Sequence, residues 1–215
     1  VRIYCDGERR WAYFALAGLA AAFTTADELP ALSLLVLFGA MLFLRAPRET
    51  LLGYVPAALV VVVAFFGTNY LAHDSLRPPY AHRSATDPED NWYAYTYTVN
   101  GVERQSYWLD RQGIDRGEPS RATYALHVLV GHHGIFSLTP VWLLSAWGGL
   151  LWLRDHDRSR RDLALAVGAL TLVCLVFYIG LRPQEDRNYG GMTSGFRWMF
   201  WFAPLWLVVM LPAAD

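Results

Sequence analysis

Two glycine-rich stretches in the last third of the chain carry the side chains best suited to bind an anion. In the second stretch, Arg187 and Arg197 flank Asn188, Tyr189 and three glycines. Guanidinium groups bind oxyanions through paired hydrogen bonds, and glycines let a backbone approach its ligand closely. The pattern therefore predicts a phosphate or diphosphate site formed by Arg187 and Arg197, with Asn188 and Tyr189 beside it.

An alternative for this stretch is contact with lipid headgroups. Arg182 and Arg187 would then bind headgroups in the ordinary way. Trp198 and Trp201 would belong to the belt of aromatic residues that membrane proteins place at the lipid–water interface. Both interpretations locate the stretch at a membrane surface.

The first stretch, GHHGIFSLTPVWLL, contains two adjacent histidines, His132 and His133, and His127 precedes them. Zinc sites usually recruit three or four ligands with recognised spacings, and the thiols and carboxylates of this chain are remote from these histidines in sequence. We favour an interpretation in which His132 and His133 line a polar substrate pocket. Hydrogen bonding within the loop and a metal site are the alternatives.

Carboxylates occur at two notable places. Asp27 and Glu28 separate two apolar runs, a position where acidic residues are normally avoided because hydrocarbon cannot solvate them. If they face a cavity, they could bind a cation or take up a proton; otherwise they form the charged tip of a helical hairpin. Asp87, Glu89 and Asp90 form a second acidic group, for which we predict a solvated surface.

The composition indicates which elements must position these residues. Hydrophobic residues make up 54% and aromatic residues 15% of the 215 residues, more apolar surface than a soluble domain can bury. The hydrocarbon of a bilayer is the natural solvent for the apolar surface that such a domain could not bury. The formal net charge is only -1, so the sequence does not predict a basic surface for nucleic acid.

Six apolar runs approach the roughly 20 residues that a helix needs to cross a bilayer. They cover residues 11–26, 29–44, 51–67, 135–153, 163–181 and 196–211. We therefore predict an all-α polytopic membrane protein with about six transmembrane helices. Residues 1–67 would contain three helices, the first two as a hairpin, residues 68–134 a region outside the membrane, and residues 135–215 three more helices.

The arginines predict the orientation of this arrangement. They fall on alternate connections, at Arg9, Arg10, Arg45 and Arg48 and in residues 154–161. Because cytoplasmic loops carry an excess of positive charge, this side is expected to be the cytoplasm. Residues 68–134 and 182–195 are then extracytoplasmic, together with Asp27 and Glu28. We expect the protein to reside in a bacterial inner membrane.

Residues 68–134 contain recognisable local signals. Two runs of alternating residues, 92–99 and 102–109, enclose Asn100-Gly101, the strongest two-residue hairpin signal. Ser120 is suited to cap a short helix over residues 124–130. We predict a small β-hairpin lying over the membrane, followed by this helix.

Four stretches together resemble a known family. They are LAGLAAAFTTADELPALSLLVL, GTNYLAHDSLRPPY, GHHGIFSLTPVWLL and NYGGMTSGFRWMFWFAPL. In order and spacing they are similar to the C-terminal part of the GT-C-type polytopic glycosyltransferases. That group includes the protein O-mannosyltransferase-like and aminoarabinose-transferase-like membrane proteins. The resemblance covers most of the chain through motifs that are individually degenerate.

This resemblance implies a transferase that takes a sugar from a polyprenyl-phosphate-linked donor on the extracytoplasmic face. Arg187 and Arg197 would hold the donor phosphate. The resemblance further implies a sugar or acceptor pocket lined by His132 and His133 and bordered by Asn69 and Tyr70. Inversion at the sugar carbon requires an acidic base, often assisted by arginines or by a divalent metal ion. A divalent metal ion is the only cofactor that this chemistry suggests.

The chain departs from the family pattern at the catalytic acid. The family places it on the first outer loop, which we expect to lie upstream of Val1, so Asp27 or Glu28 is the fallback acid here. Two alternatives to a transferase follow. One is a non-catalytic polytopic membrane subunit, and the other is a transporter or flippase for a lipid-linked substrate.

Overall fold

The computed structural model describes residues 1–191 and 194–214, and these are mostly helical with one two-stranded antiparallel sheet. The helices are α1 (Trp11–Asp27), α2 (Leu32–Arg45), α3 (Pro47–His73), α4 (Arg121–Leu129), α5 (Ile135–Leu138), α6 (Trp142–Leu153), α7 (Arg158–Leu181) and α8 (Arg197–Ala214). The strands are β1 (Thr96–Val99) and β2 (Val102–Gln105). Single 3-10 turns connect several of these elements.

Three helices within the described residues are long and apolar enough to cross a membrane, namely α3, α7 and α8. The segment Leu29–Arg45, which contains α2, and α6 are apolar but shorter. At about 1.5 Å per residue, α6 rises only about 18 Å, whereas the hydrocarbon core is about 30 Å thick. The fold is therefore mostly helical with three candidate spanning helices, where the composition predicted six.

The predicted helix over residues 135–153 is interrupted. Helix α5 ends at Leu138 and α6 begins at Trp142. Pro140 lies in the gap; it has no backbone N–H to donate, and its ring clashes with the preceding helical turn. The single continuous helix predicted here was wrong, because the proline ends the first segment instead of being accommodated within it.

Helix α3 packs closely on α1. It contains a widened π-helical turn at Thr50–Tyr54, which ends two residues before Pro56. A Cβ atom added at Gly18 of α1 would meet the Tyr54 carbonyl, and one added at Gly53 would lie 2.9 Å from the Phe14 Cβ. Small residues thus let the two backbones approach, as is common where membrane helices cross.

The last three helices form the second packed group. Helix α6 crosses α8 at Gly148, where an added Cβ would meet the Val209 carbonyl. Tyr178 of α7 and Phe202 of α8 are among the largest fully buried side chains of the core between these helices. Phe38 of α2 packs against the same core. Helix α2 therefore links the two groups.

Arg45, at the end of α2, lies where three segments meet. Its guanidinium donates to the Tyr4 carbonyl over 3.4 Å and to Ser159 Oγ over 3.0 Å. Asp162 lies 4.0 Å from Arg45 and accepts from the Tyr4 hydroxyl over 3.1 Å. The N-terminal segment, the α2–α3 connection and the start of α7 therefore meet at one end of the helices, here called the arginine end.

The predicted hairpin and short helix are both present. Val99 pairs with Val102, and the two turn residues between them, Asn100 and Gly101, have φ values of 53° and 79°. These positive values are those of the tight turn that Asn-Gly favours. The strands are shorter than predicted, since residues Tyr107–Leu109 form a 3-10 turn. Ser120 caps α4 by accepting from the Thr123 N–H over 3.3 Å.

Candidate anion-binding site

The structure brings the two glycine-rich stretches of the sequence into direct contact. The His133 ring lies parallel to that of Tyr189, with ring centres 4.2 Å apart and 11° between the planes. Tyr189 is only 4% exposed, and its carbonyl accepts from the Arg197 backbone N–H over 3.3 Å. The two stretches therefore lie together at one end of the helices, here called the loop end.

The histidines pack around Tyr189 as a cluster of rings. The His127 and His132 ring centres are 4.2 Å apart, and those of His132 and His133 are 4.6 Å apart. Within the part of the chain that the structure describes, no group of three His, Cys, Asp or Glu side chains is arranged to hold a metal ion. The geometry therefore does not fit the divalent ion that the resemblance suggests, and no chemistry is assigned to one.

Helix α4 fixes the loop that carries Asn188. The fully buried Tyr124 donates its hydroxyl to the Asn188 carbonyl over 2.7 Å. Burial raises the pKa of Tyr124 above its ordinary value, so this hydroxyl keeps its proton and remains a donor. The Asn188 side chain accepts from the Gly190 N–H over 3.1 Å. Asn188 therefore shapes the loop, and its predicted position beside a phosphate stays a prediction.

Arg187 also has a structural contact that the sequence did not predict. Its side chain is buried at 7% exposure and donates from Nη1 to the Pro119 carbonyl over 2.8 Å. The Arg187 carbonyl accepts from the Glu118 N–H over 3.0 Å. These two bonds fasten the segment before α4 to the loop after α7. The structure thus gives Arg187 a bridging position between two segments. Arg187 Nε is also buried without a partner among the described residues, and the predicted phosphate contact of Arg187 stays a prediction.

Arg182 lies beside Arg197 at the ring of Trp198. The guanidinium carbons of Arg182 and Arg197 lie 5.0 and 4.8 Å from the centre of the same ring, that of Trp198. Arg182 also lies 5.6 Å from the Tyr178 ring centre. The feature of Arg182 that could have suggested this place is its position directly after Leu181, the last residue of α7. Sequence alone did not reveal which arginine shares a ring with Arg197.

Several hydrogen-bond donors at this ring are buried without an acceptor. Among the described residues, Arg182 Nη1, Trp198 Nε1 and the Tyr178 hydroxyl have no hydrogen-bond partner. No described carboxylate lies within 4.0 Å of the Arg182 or Arg197 guanidinium. Buried donors are normally paired, because leaving one unpaired costs about 1–3 kcal/mol. The cluster is therefore suited to a ligand that carries several acceptor oxygens.

Glu28, in the α1–α2 connection, is a carboxylate on which the charges of both arginines act. Burial raises its pKa above the ordinary 4.5, while the charges of Arg197 and Arg182 act in the opposite direction. Its neighbour Asp27 is exposed. Of the two fallback acids, Glu28 is therefore the one that shares the environment of the arginines.

Asn69 and Tyr70 have contacts within their own helix. The Asn69 side chain donates to the Phe65 carbonyl over 2.8 Å, and Tyr70 is 54% exposed near the end of α3. The described hydrogen bonds and ring contacts do not join either residue to the arginine pair or to the histidines. Their predicted position at the border of a pocket stays a prediction.

Comparisons of the chain with protein-family models, with curated proteins and with solved structures found no match.

Proposed function

We propose that this chain is part of an integral membrane glycosyltransferase that uses a polyprenyl-phosphate-linked sugar donor on the extracytoplasmic face. One observation carries the proposal. Arg182 and Arg197 converge on the Trp198 ring, and the buried donors around that ring lack acceptors among the described residues. A phosphate group supplies several strong acceptor oxygens and a compensating negative charge, so it suits this cluster better than a neutral ligand.

The exposed surface of α3 supports the membrane location. In its segment Val55–His73, which is almost entirely apolar, no residue is buried. Leu59 is 54% and Val63 69% exposed, and such a continuous apolar surface is unfavourable in water. We propose that α3, α7 and α8 cross a bacterial inner membrane. In the six-span arrangement, α1, α2 and the α5–α6 pair enter it as well.

The orientation follows from the arginine end. Arg45 there lies beside the start of α7, which carries Arg158, Arg160 and Arg161. The excess of arginine favours the cytoplasm for this end. Residues 68–134 and the arginine pair would then be extracytoplasmic, where polyprenyl-linked donors present their sugars.

We assign a role to each side chain of the site from its position in the structure. Arg182 and Arg197 would hold the donor phosphate through charge-assisted hydrogen bonds, and Trp198 Nε1 would donate to the same group. His132 and His133 would line the sugar or acceptor side. Glu28 would be the fallback acid beside the phosphate, since the charges of Arg182 and Arg197 act on it. The base of the complete protein stays assigned to the segment expected upstream.

Binding of a polyprenyl phosphate to the purified chain in detergent tests the phosphate site. Arg182→Gln and Arg197→Gln should each weaken binding about 10- to 100-fold, because each removes a hydrogen bond to a charged group. Arg121→Gln is the matched control, since Arg121 is an exposed arginine of α4 at the same end. Equal losses in all three variants would contradict a specific site.

Sugar transfer must be measured in the full-length protein. Arg197→Ala should abolish transfer from a polyprenyl-phosphate hexose while the variant inserts into membranes at the normal level. Unchanged turnover would remove Arg197 from the mechanism. Binding of the donor without any transfer would favour the non-catalytic subunit or the flippase, and these are separated by measuring donor movement across vesicles.

A further inference from the structure

A second group of chemically suited side chains lies outside the anion site, just beyond the end of α3. His82 Nδ1 is 2.6 Å from Asp90 Oδ1, and His82 Nε2 is 3.3 Å from Ser75 Oγ. A hydroxyl, an imidazole and a carboxylate are thus joined in a line. This is the order in which acyl-transfer enzymes connect nucleophile, base and orienting acid.

Short turns bring these residues together. Helix α3 ends at His73, and Asp74 takes a left-handed conformation with φ of 52°, so that Ser75 leaves the helix axis. A 3-10 turn at Pro79–Ala81 returns the chain to His82, and another at Pro88–Asp90 delivers the carboxylate. This arrangement was not predicted from the sequence, in which Asp90 was expected to be a solvated surface charge.

The imidazole at the centre is held rigidly. His82 is only 7% exposed, and its ring is stacked on Trp92 with centres 3.8 Å apart and 5° between the planes. Arg77 Nη1 lies 3.1 and 3.2 Å from the two Asp90 oxygens and holds that carboxylate in place. A fixed base and a fixed carboxylate are what orientation of a nucleophile requires.

The hydrogen bonds also select the proton positions. A carboxylate only accepts, so Nδ1 of His82 carries a proton, and in the neutral imidazole Nε2 is then the acceptor for the Ser75 hydroxyl. The backbone N–H of Arg77 donates to Ser75 Oγ over 3.1 Å. With one lone pair of Oγ occupied in this way, the hydroxyl proton is free to point at His82. The 3.3 Å separation is slightly long, as such bonds often are without substrate.

We propose that Ser75, His82 and Asp90 form a second reactive site that transfers acyl groups from carboxylic esters. Ser75 Oγ attacks the ester carbonyl carbon while its proton moves to His82 Nε2. The C–O bond of the tetrahedral adduct then breaks, and the leaving alcohol takes that proton. Water or an acceptor hydroxyl attacks the acyl-serine by the reverse sequence and frees Ser75. Asp90 stabilises the imidazolium throughout.

The surroundings indicate the class of ester. Leu71, one turn before Ser75, is 86% exposed, and Leu76, directly after it, is 60% exposed. Leu71 lies in the last turn of α3, a helix long and apolar enough to cross a membrane, and Leu76 lies just beyond its end. An ester whose acyl chain lies in the bilayer would present its carbonyl at this level. The site therefore suits amphiphilic lipid esters, and it is independent of the proposed glycosyltransferase activity.

Reaction of the purified full-length chain with a fluorophosphonate probe tests the proposal without knowledge of the substrate. Such a probe phosphonylates serines that a neighbouring base has activated, and fluoride is the leaving group. Peptide mass mapping of the wild-type protein should find the adduct on Ser75. An adduct on any other serine, or none after prolonged exposure, would overturn the proposal.

Variants then test the role of each residue. His82→Gln should slow labelling at least about 100-fold, the usual contribution of a general base. Ser84→Ala is the control for Ser75→Ala, because Ser84 is likewise half-buried and accepts a backbone N–H, from Asp87 over 3.0 Å. Ser84→Ala should leave both the labelling and the hydrolysis of a p-nitrophenyl octanoate unchanged, whereas Ser75→Ala should abolish both. Equal labelling rates of wild type and His82→Gln would show that the hydrogen bonds of Ser75, His82 and Asp90 are structural only.

Discussion

His133 and Tyr189 stack face to face, with ring centres 4.2 Å apart and 11° between their planes. The contact joins the loop before α5 to the loop after α7, and both loops lie at the loop end of the helices. Tyr189 in turn holds the Arg197 backbone through its carbonyl. The backbone of Arg197 is therefore held by a residue that contributes no charge to the site.

Tyr189→Ala should destabilise the protein by about 3–5 kcal/mol, because it removes a buried aromatic ring and leaves a cavity. The same change should weaken binding of polyprenyl phosphate, since the loop that carries Arg197 loses its support. Thermal unfolding and binding, both in detergent, measure these effects. Tyr189→Phe keeps the ring and should behave nearly as wild type; an equal loss in Tyr189→Phe would show that the stack is not the cause.

Gly190→Ala should displace Arg197. Gly190 has a φ of 90°, and a Cβ added there would lie 2.7 Å from the Arg197 Cβ and 3.1 Å from its Nε. Gly191 supplies the matched control, because its φ is 89° and an added Cβ meets no described atom within 4 Å. Both variants should lose about 1–2 kcal/mol of stability through backbone strain. Only Gly190→Ala should also weaken phosphate binding, and equal binding by the two variants would contradict the assignment of Arg197.

Donor binding should depend on the ionisation of Glu28. Burial raises the pKa of this carboxyl above 4.5, so it becomes charged only as the pH rises through that higher value. The charged form repels a phosphate held by Arg182 and Arg197. Affinity for a polyprenyl-phosphate hexose, whose phosphodiester keeps one negative charge over this range, should therefore be highest at acid pH and fall as the pH rises. Glu28→Gln should flatten the profile, and an unchanged slope in that variant would assign the titration to another group.

The crossing of α6 and α8 should tolerate no side chain at Gly148. An added Cβ would meet the Val209 carbonyl, whereas one at the adjacent Gly149 meets no described atom within 4 Å. Gly148→Ala should therefore lower the unfolding temperature by forcing the helices apart. Gly149→Ala should raise the stability by up to about 1 kcal/mol, because alanine favours a helix over glycine. Comparing the unfolding temperatures of the two variants separates the effect of helix packing from that of helix propensity. A higher unfolding temperature for Gly148→Ala would contradict the close crossing.

Much of the local structure could be predicted from the sequence. The Asn100-Gly101 turn and the Ser120 cap are both observed. The interruption at Pro140 was missed, because a proline within an apolar run is compatible with both a continuous helix and a broken one. Only the packing of α6 against α7 and α8 shows that the helix is broken and not continuous.

The sites were less predictable than the elements. Arg187 and Arg182 are both polar residues of one loop, and the sequence offered no means to decide which of them would share the Trp198 ring with Arg197. The sequence did not predict that Ser75 and Asp90 would be joined through His82. The turns that bring His82 between them depend on the folded chain.

The sequence by itself determined the apolar runs, the turns and the position of charge along the chain. These features depend on residues a few positions apart, whose propensities and hydrogen bonds act before any long-range packing. The tertiary structure decided which donors are buried together and which side chains meet. That outcome depends on how segments distant in the sequence pack, because the cost of an unpaired donor is set by the groups around it.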